Sequence, residues 1–276
     1  MRRIFQFIIS HAVFIALCAA ALVFQTMQLL QLEVNVYLLL FIFFSTLCSY
    51  NFHWLLGSVA GHGRFSLSSI TRQRRTLFFS LIGIVGLLFF IPLSGAGYID
   101  LLLAFLLTFL YSIPLLPFKQ LAFTRKAGFL KTVLLAFTWT FVTAYIPWHI
   151  SDRVLTTEVT LIFIRRFLFM LMLCILFDNR DIASDKIQGL HSLATDLRPV
   201  TMRWLIYFIF GLLFILPFFM KQSGITFSQS LALQLSALAT LITYFFSLKK
   251  QGYFFYYFLV DGLMLLSALL TTMASI

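Results

Sequence analysis

Asp178, Asp181 and Asp185 are spaced DxxDxxxD directly after an apolar run, and they make up a third of the nine acidic side chains in the chain. On a helix, positions i, i+3 and i+7 share one face, so the three carboxylates project together. Like charges held that close repel unless a cation lies between them. Oxygen-only ligands suit Mg²⁺, which takes one or two carboxylates and fills its remaining positions from substrate phosphates and water. The same spacing also describes a solvated acidic helix end. The surroundings have to decide between these readings.

The 276 residues are 61% hydrophobic and only 11% charged, where a soluble domain is about a quarter charged. That excludes a soluble enzyme and predicts an integral membrane protein throughout. The 35 phenylalanines are expected to cover lipid-facing helix surfaces. No cleavable signal is expected, because the first apolar run lacks a small-residue cleavage site and leads into further spans. Cys18, Cys48 and Cys174 lie inside apolar runs and read as packing residues. The five histidines show no zinc spacing.

At about 20 apolar residues per span, the chain divides into nine helices, near 8–30, 34–56, 76–93, 98–116, 130–150, 160–178, 200–220, 227–247 and 254–274. This predicts an all-α fold, residues 1–276 forming one multi-pass domain with no separate soluble unit. Charge placement supports the count. Arg2 and Arg3, then the clusters Arg64–Arg75, Lys119–Lys131, Arg180–Arg203 and Lys249–Lys250, put 16 of the 20 basic residues on one side. Arg153, Arg165, Arg166 and Lys221 are assigned to the other. The positive-inside rule then places the N-terminus and the basic connections in the cytoplasm, with the cell membrane as the expected location. The net charge of +11 therefore reports topology, and no nucleic-acid partner is expected.

The aspartates are expected on the cytoplasmic side, in the connection after the sixth span, and the text continues Gln188-Gly189-Leu190-His191-Ser192-Leu193. A second segment follows the fourth span, Tyr111-Ser112-Ile113-Pro114, with Lys119 a few positions on, then Arg125-Lys126-Ala127-Gly128 and Lys131, with Trp139 and Pro147 beyond. On these passages the chain resembles the UbiA superfamily of membrane prenyltransferases, over most of its length. The resemblance implies a helical bundle around a central cavity. It further implies Mg²⁺ held by Asp178, Asp181 and Asp185 against an isoprenoid diphosphate, and a membrane-soluble acceptor that is aromatic or otherwise electron-rich. Lys119, Lys131 and Arg180 become candidates to neutralise the leaving pyrophosphate. Tyr111 becomes a candidate to face the allylic cation, with Ser112, Asn51 and Arg72 as further binding candidates.

One family feature is missing. The first acidic motif of the family, NDxxDxxxD, corresponds here to the stretch beginning Asn51-Phe52-His53-Trp54-Leu55, and Phe52, Leu55 and Val59 stand in the three aspartate places. Three readings follow: a prenyltransferase working with one acidic cluster, a non-catalytic protein that binds an isoprenoid or quinone-like lipid, or a small membrane transporter. Asp261, about seven residues into the last span, is either the acid of a substrate cavity or the partner of a nearby Arg or Tyr. An intramembrane carboxylate of this kind faces the bundle interior.

Overall fold

In a computed structural model, residues 12–61, 74–112, 128–188, 191–220 and 225–275 are described. Lys119 and Arg72 lie outside these residues, as do the N-terminal arginines, Arg64 and Lys221. The described residues are helical and contain no strand. A backbone in lipid must have its polar groups satisfied internally, which a helix does along its whole length except at its two ends.

The helices are α1 (Val13–Leu29), α2 (Val36–Gly61), α3 (Arg74–Phe90), α4 (Tyr98–Ser112), α5 (128–149), α6 (Thr157–Gln188), the single turn α7 (Leu193–Asp196), α8 (Pro199–Phe219), α9 (Phe227–Ser247) and α10 (253–273). Each predicted span overlaps one of them. Among the described residues, six helices are long and apolar enough to cross a membrane: α2, α5, α6, α8, α9 and α10. α1 and α4 are apolar but shorter.

Local chemistry sets several boundaries. Pro199 occupies the first turn of α8, where its missing N–H costs nothing. Thr226 caps α9 by accepting from the Gln229 backbone N–H at 3.1 Å, while Gln229 Oε1 accepts from the Thr226 N–H at 2.9 Å. Two helices carry a π-helical segment, Phe141–Tyr145 in α5 and Phe255–Val260 in α10. Such wide turns re-aim side chains and free a carbonyl, and they recur at functional sites.

Packing follows small residues and polar side chains, as expected where lipid removes the hydrophobic drive between helices. A Cβ at Gly83 of α3 would sit 2.8 Å from the Cys48 backbone of α2, so only glycine permits that approach. α1 packs against α2, α5 and α10, and α6 against α5, α8 and α9. Outward faces are apolar, with Phe78, Val85, Phe105, Phe208 and Phe219 all exposed.

Arg165 and Arg166 correct an expectation. They do not flank the membrane on the far side; both are buried within α6. Arg166 Nη2 donates to Leu22 O at 3.1 Å, Gln25 Oε1 at 2.9 Å and Thr26 Oγ1 at 3.1 Å. Arg165 Nη2 donates to Leu233 O at 3.1 Å and Ser236 Oγ at 3.2 Å. Gln25 Nε2 in turn reaches Ser267 and Thr271. Thr26 Oγ1 donates to Thr143 O in the π segment of α5 at 2.7 Å. The fork of the guanidinium suits several acceptors at once, and here it ties α6 to α1 and α9. Counting basic residues cannot separate a loop anchor from an interior strut.

Candidate functional site

α6 continues unbroken to Gln188, so the acidic stretch is the end of a long helix and not a connection. Asp178 accepts a 2.6 Å hydrogen bond from Thr132 Oγ1 of α5. Asp181 is held by the adjacent Arg180, whose Nε and Nη2 donate to its two oxygens at 2.7 Å each. Asp185 is buried beside the Ser192 hydroxyl, and its Oδ2 makes no well-formed hydrogen bond among the described residues. Burial pushes the Asp185 carboxyl above its usual range, with the Asp181 charge adding to the effect against the opposing pull of Lys131. The three aspartates thus share a helix face but have three different environments.

Arg180 sits against aromatic faces. Its guanidinium carbon lies 5.0 Å from the Phe177 ring centroid, 5.4 Å from Tyr256 and 4.9 Å from Tyr257. These distances are within cation–π range. Tyr257 also meets Trp54 of α2 edge-on at 6.1 Å, so this aromatic wall joins α2, α6 and α10. Lys131 of α5 stands within electrostatic reach of Asp178 and Asp185.

Next to this end lies a cavity of about 340 Å³ between α2, α3, α4 and α5. Its walls include Ser45, Ser49, Tyr50 and His53 of α2, Leu87 and Ile91 of α3, Leu101, Thr108, Tyr111 and Ser112 of α4, and Leu135, Thr138, Trp139, Val142 and Ile146 of α5. Several hydroxyls on this wall are already committed as donors. Ser45 bonds to Phe41 O, Thr108 to Ala104 O, Ser112 to Thr108 O and Thr138 to Leu134 O, all at 2.7–2.8 Å. With their donors spent on their own helices, these hydroxyls leave the wall suited to an apolar ligand and unsuited to an anion. Its size is at the lower end for small-molecule sites. Tyr111 stacks on His53 with ring centroids 5.2 Å apart and stands within electrostatic reach of Asp178, Asp181 and Arg180. These two rings join the apolar space to the charged end.

The sequence-predicted residues separate as follows. Asp178, Asp181, Asp185, Arg180 and Lys131 gather at one end of α5 and α6, while Tyr111 and Ser112 line the cavity below them. Asn51 is fully buried in α2, donates from Nδ2 to Leu47 O at 2.8 Å, and is absent from the cavity wall. Phe52, in the first missing aspartate place, is exposed. Asp261 is buried among the bundle helices and stands within electrostatic reach of Arg180. Sequence reasoning missed Thr132, Tyr256 and Tyr257. Nothing in a threonine beside Lys131, or in a run of aromatic residues, separates site residues from packing.

The all-oxygen donor set fits Mg²⁺, and the buried Asp185 Oδ2, beside the Ser192 hydroxyl but without a well-formed hydrogen bond, is open to such a partner. Among the described residues, no three His, Cys, Asp or Glu side chains already converge on one point. Asp178 and Asp185 are seven residues apart, about 10 Å along the helix, so only Asp181 can share an ion with either neighbour.

No protein-family model and no curated protein matches the chain. Among solved structures, the apo structure of a UbiA homolog from Aeropyrum pernix K1 matches with a TM-score of 0.62 at 13% identity, over 96% of this chain and 97% of that one. The chain therefore has the UbiA-type membrane fold along almost its whole length.

Proposed function

We propose that this protein binds an isoprenoid diphosphate at the cytoplasmic end of α5 and α6 and transfers the prenyl group to an aromatic or other electron-rich acceptor within the membrane. One observation carries the reading: a largely apolar cavity, four of whose hydroxyls donate to their own helices, adjoins a charged end carrying three aspartates, Arg180 and Lys131, within a UbiA-type fold. A diphosphate ester of an isoprenoid has the matching halves. Nine membrane crossings with a cytoplasmic N-terminus in the cell membrane complete the proposal.

In this reading the tail occupies the cavity and the diphosphate lies against the acidic face. Asp178, Asp181 and Asp185 would hold Mg²⁺, which when bound stabilises negative charge developing on the leaving oxygen. Thr132 fixes the Asp178 carboxylate, and Lys131 supplies positive charge on the opposite wall. Lys119 and Arg72 belong to the same proposal as further cations for the diphosphate. Tyr111 and His53, stacked at the junction, place π faces beside the carbon that becomes electron-poor. As the cavity wall keeps water from that carbon, capture by an acceptor is favoured over hydrolysis.

The test is incubation of purified protein with labelled allylic diphosphates and membrane-soluble phenolic acceptors, with and without Mg²⁺. A labelled, extractable adduct supports transfer. Binding without an adduct supports the second reading, a non-catalytic isoprenoid-binding protein, which the exposed Phe52 in place of an aspartate favours.

A further inference from the structure

Arg180 is placed to do more than neutralise a product. Adjacent residues on a helix do not face each other, yet Arg180 Nε and Nη2 both reach back to Asp181 at 2.7 Å. The rings of Phe177, Tyr256 and Tyr257 form the wall that turns the guanidinium onto its neighbour. Two of these rings come from the π segment Phe255–Val260 of α10. The third nitrogen, Nη1, is buried and makes no well-formed hydrogen bond among the described residues, although the Tyr257 hydroxyl also interacts with the guanidinium. The Asp181 side chain remains 40% exposed, against 26% for Arg180, so an incoming ion can reach the pair.

The charge balance gives this arrangement a consequence. A diphosphate approaching Asp178, Asp181 and Asp185 meets three carboxylates and needs positive charge on its own side. A guanidinium binds phosphate oxygens with the same fork that it offers a carboxylate. With each oxygen accepting from Arg180 and its charge offset, Asp181 is a weaker ligand for a metal ion than it becomes once Arg180 releases it.

Building on the diphosphate reading above, we propose that Arg180 is a resident cation of the site, holding Asp181 in the absence of ligand and passing its guanidinium to the diphosphate when that arrives. Metal and Arg180 then compete for one carboxylate. Diphosphate, by drawing Arg180 away, frees Asp181 for the metal. Binding of the two ligands is thereby coupled, each favouring the other.

The test uses calorimetry on the full chain in detergent, with Mg²⁺ alone and with inorganic pyrophosphate in EDTA. Arg180→Gln should bind Mg²⁺ alone about tenfold more tightly and pyrophosphate about tenfold more weakly, the scale of one charge-assisted hydrogen bond. General loss of structure would weaken both. Tyr257→Leu keeps the charge and opens the ring wall, and should shift Mg²⁺ binding the same way by less, which covers the case where Arg180→Gln does not fold. Unchanged or weaker Mg²⁺ binding in these variants overturns the competition. Pyrophosphate binding that survives Arg180→Gln overturns the transfer to diphosphate. Pyrophosphate binding by neither wild type nor variant, in a further titration with Mg²⁺ present as well as in EDTA, rejects the diphosphate reading itself.

Discussion

Thr132 donates a 2.6 Å hydrogen bond to Asp178 across the α5–α6 contact, one residue after Lys131. The bond fixes the first carboxylate of the acidic face before any ligand arrives, and it leaves Asp181 and Asp185 to respond.

Thr132→Val keeps the shape of the side chain and removes the donor. A hydrogen bond to a charged group is worth about 1.5–3 kcal/mol, so pyrophosphate affinity should fall about tenfold or more, whereas Thr132→Ser should stay near wild type. Titration calorimetry of the two variants checks this. Equal losses in both would show that the hydroxyl does not matter.

The cavity makes a separate claim about the tail. Ala104 lines it from α4, and Ala104→Phe should fill it. Affinity for a prenyl diphosphate should drop while affinity for inorganic pyrophosphate is kept, because the charged end is untouched. A competition assay with both ligands reads the difference. Parallel loss of both would place the tail elsewhere.

The interior arginines predict stability. Arg166→Leu leaves Gln25 Oε1 and Thr26 with one partner fewer in a buried setting, at about 1–3 kcal/mol for each group left unsatisfied. Thermal unfolding in detergent should shift down by several degrees, about 2–4 °C per kcal/mol for a chain of this size. Arg166→Lys should recover only part of the loss, since an ammonium lacks the fork. A melting temperature equal to wild type would remove Arg166 from the framework.

Gly83→Val addresses the α2–α3 contact, where a Cβ meets the Cys48 backbone at 2.8 Å. Backbone on the receiving side cannot yield cheaply, and overpacking costs about 1–3 kcal/mol. The same melting experiment should register it. Neutral behaviour would mean that α3 can slide on α2.

What the sequence could reveal followed from what each signal measures. The apolar runs located every helix except the single turn α7, because length and hydropathy are properties of a single segment. The DxxDxxxD spacing located the acidic face for the same reason. Arg165 and Arg166 were misplaced because their acceptors, Leu22 O, Gln25 and Ser236, come from other helices. The Arg180–Asp181 bond departs from the neighbour rule for helices, and two of the three rings packed against the guanidinium, Tyr256 and Tyr257, come from α10. The Thr132–Asp178 bond depends on the register between α5 and α6, which no local pattern records. Asn51 matched a family position by type, yet its amide donates to its own helix and does not line the cavity.

The most direct measurement is pyrophosphate release from allylic prenyl diphosphates by the detergent-purified chain, with and without Mg²⁺, in wild type and in Asp181→Asn. The account predicts metal-dependent release that Asp181→Asn abolishes, because Asp181 is the one carboxylate able to share an ion with either neighbour. Release that persists at the wild-type rate in Asp181→Asn, or that ignores the metal, would contradict it.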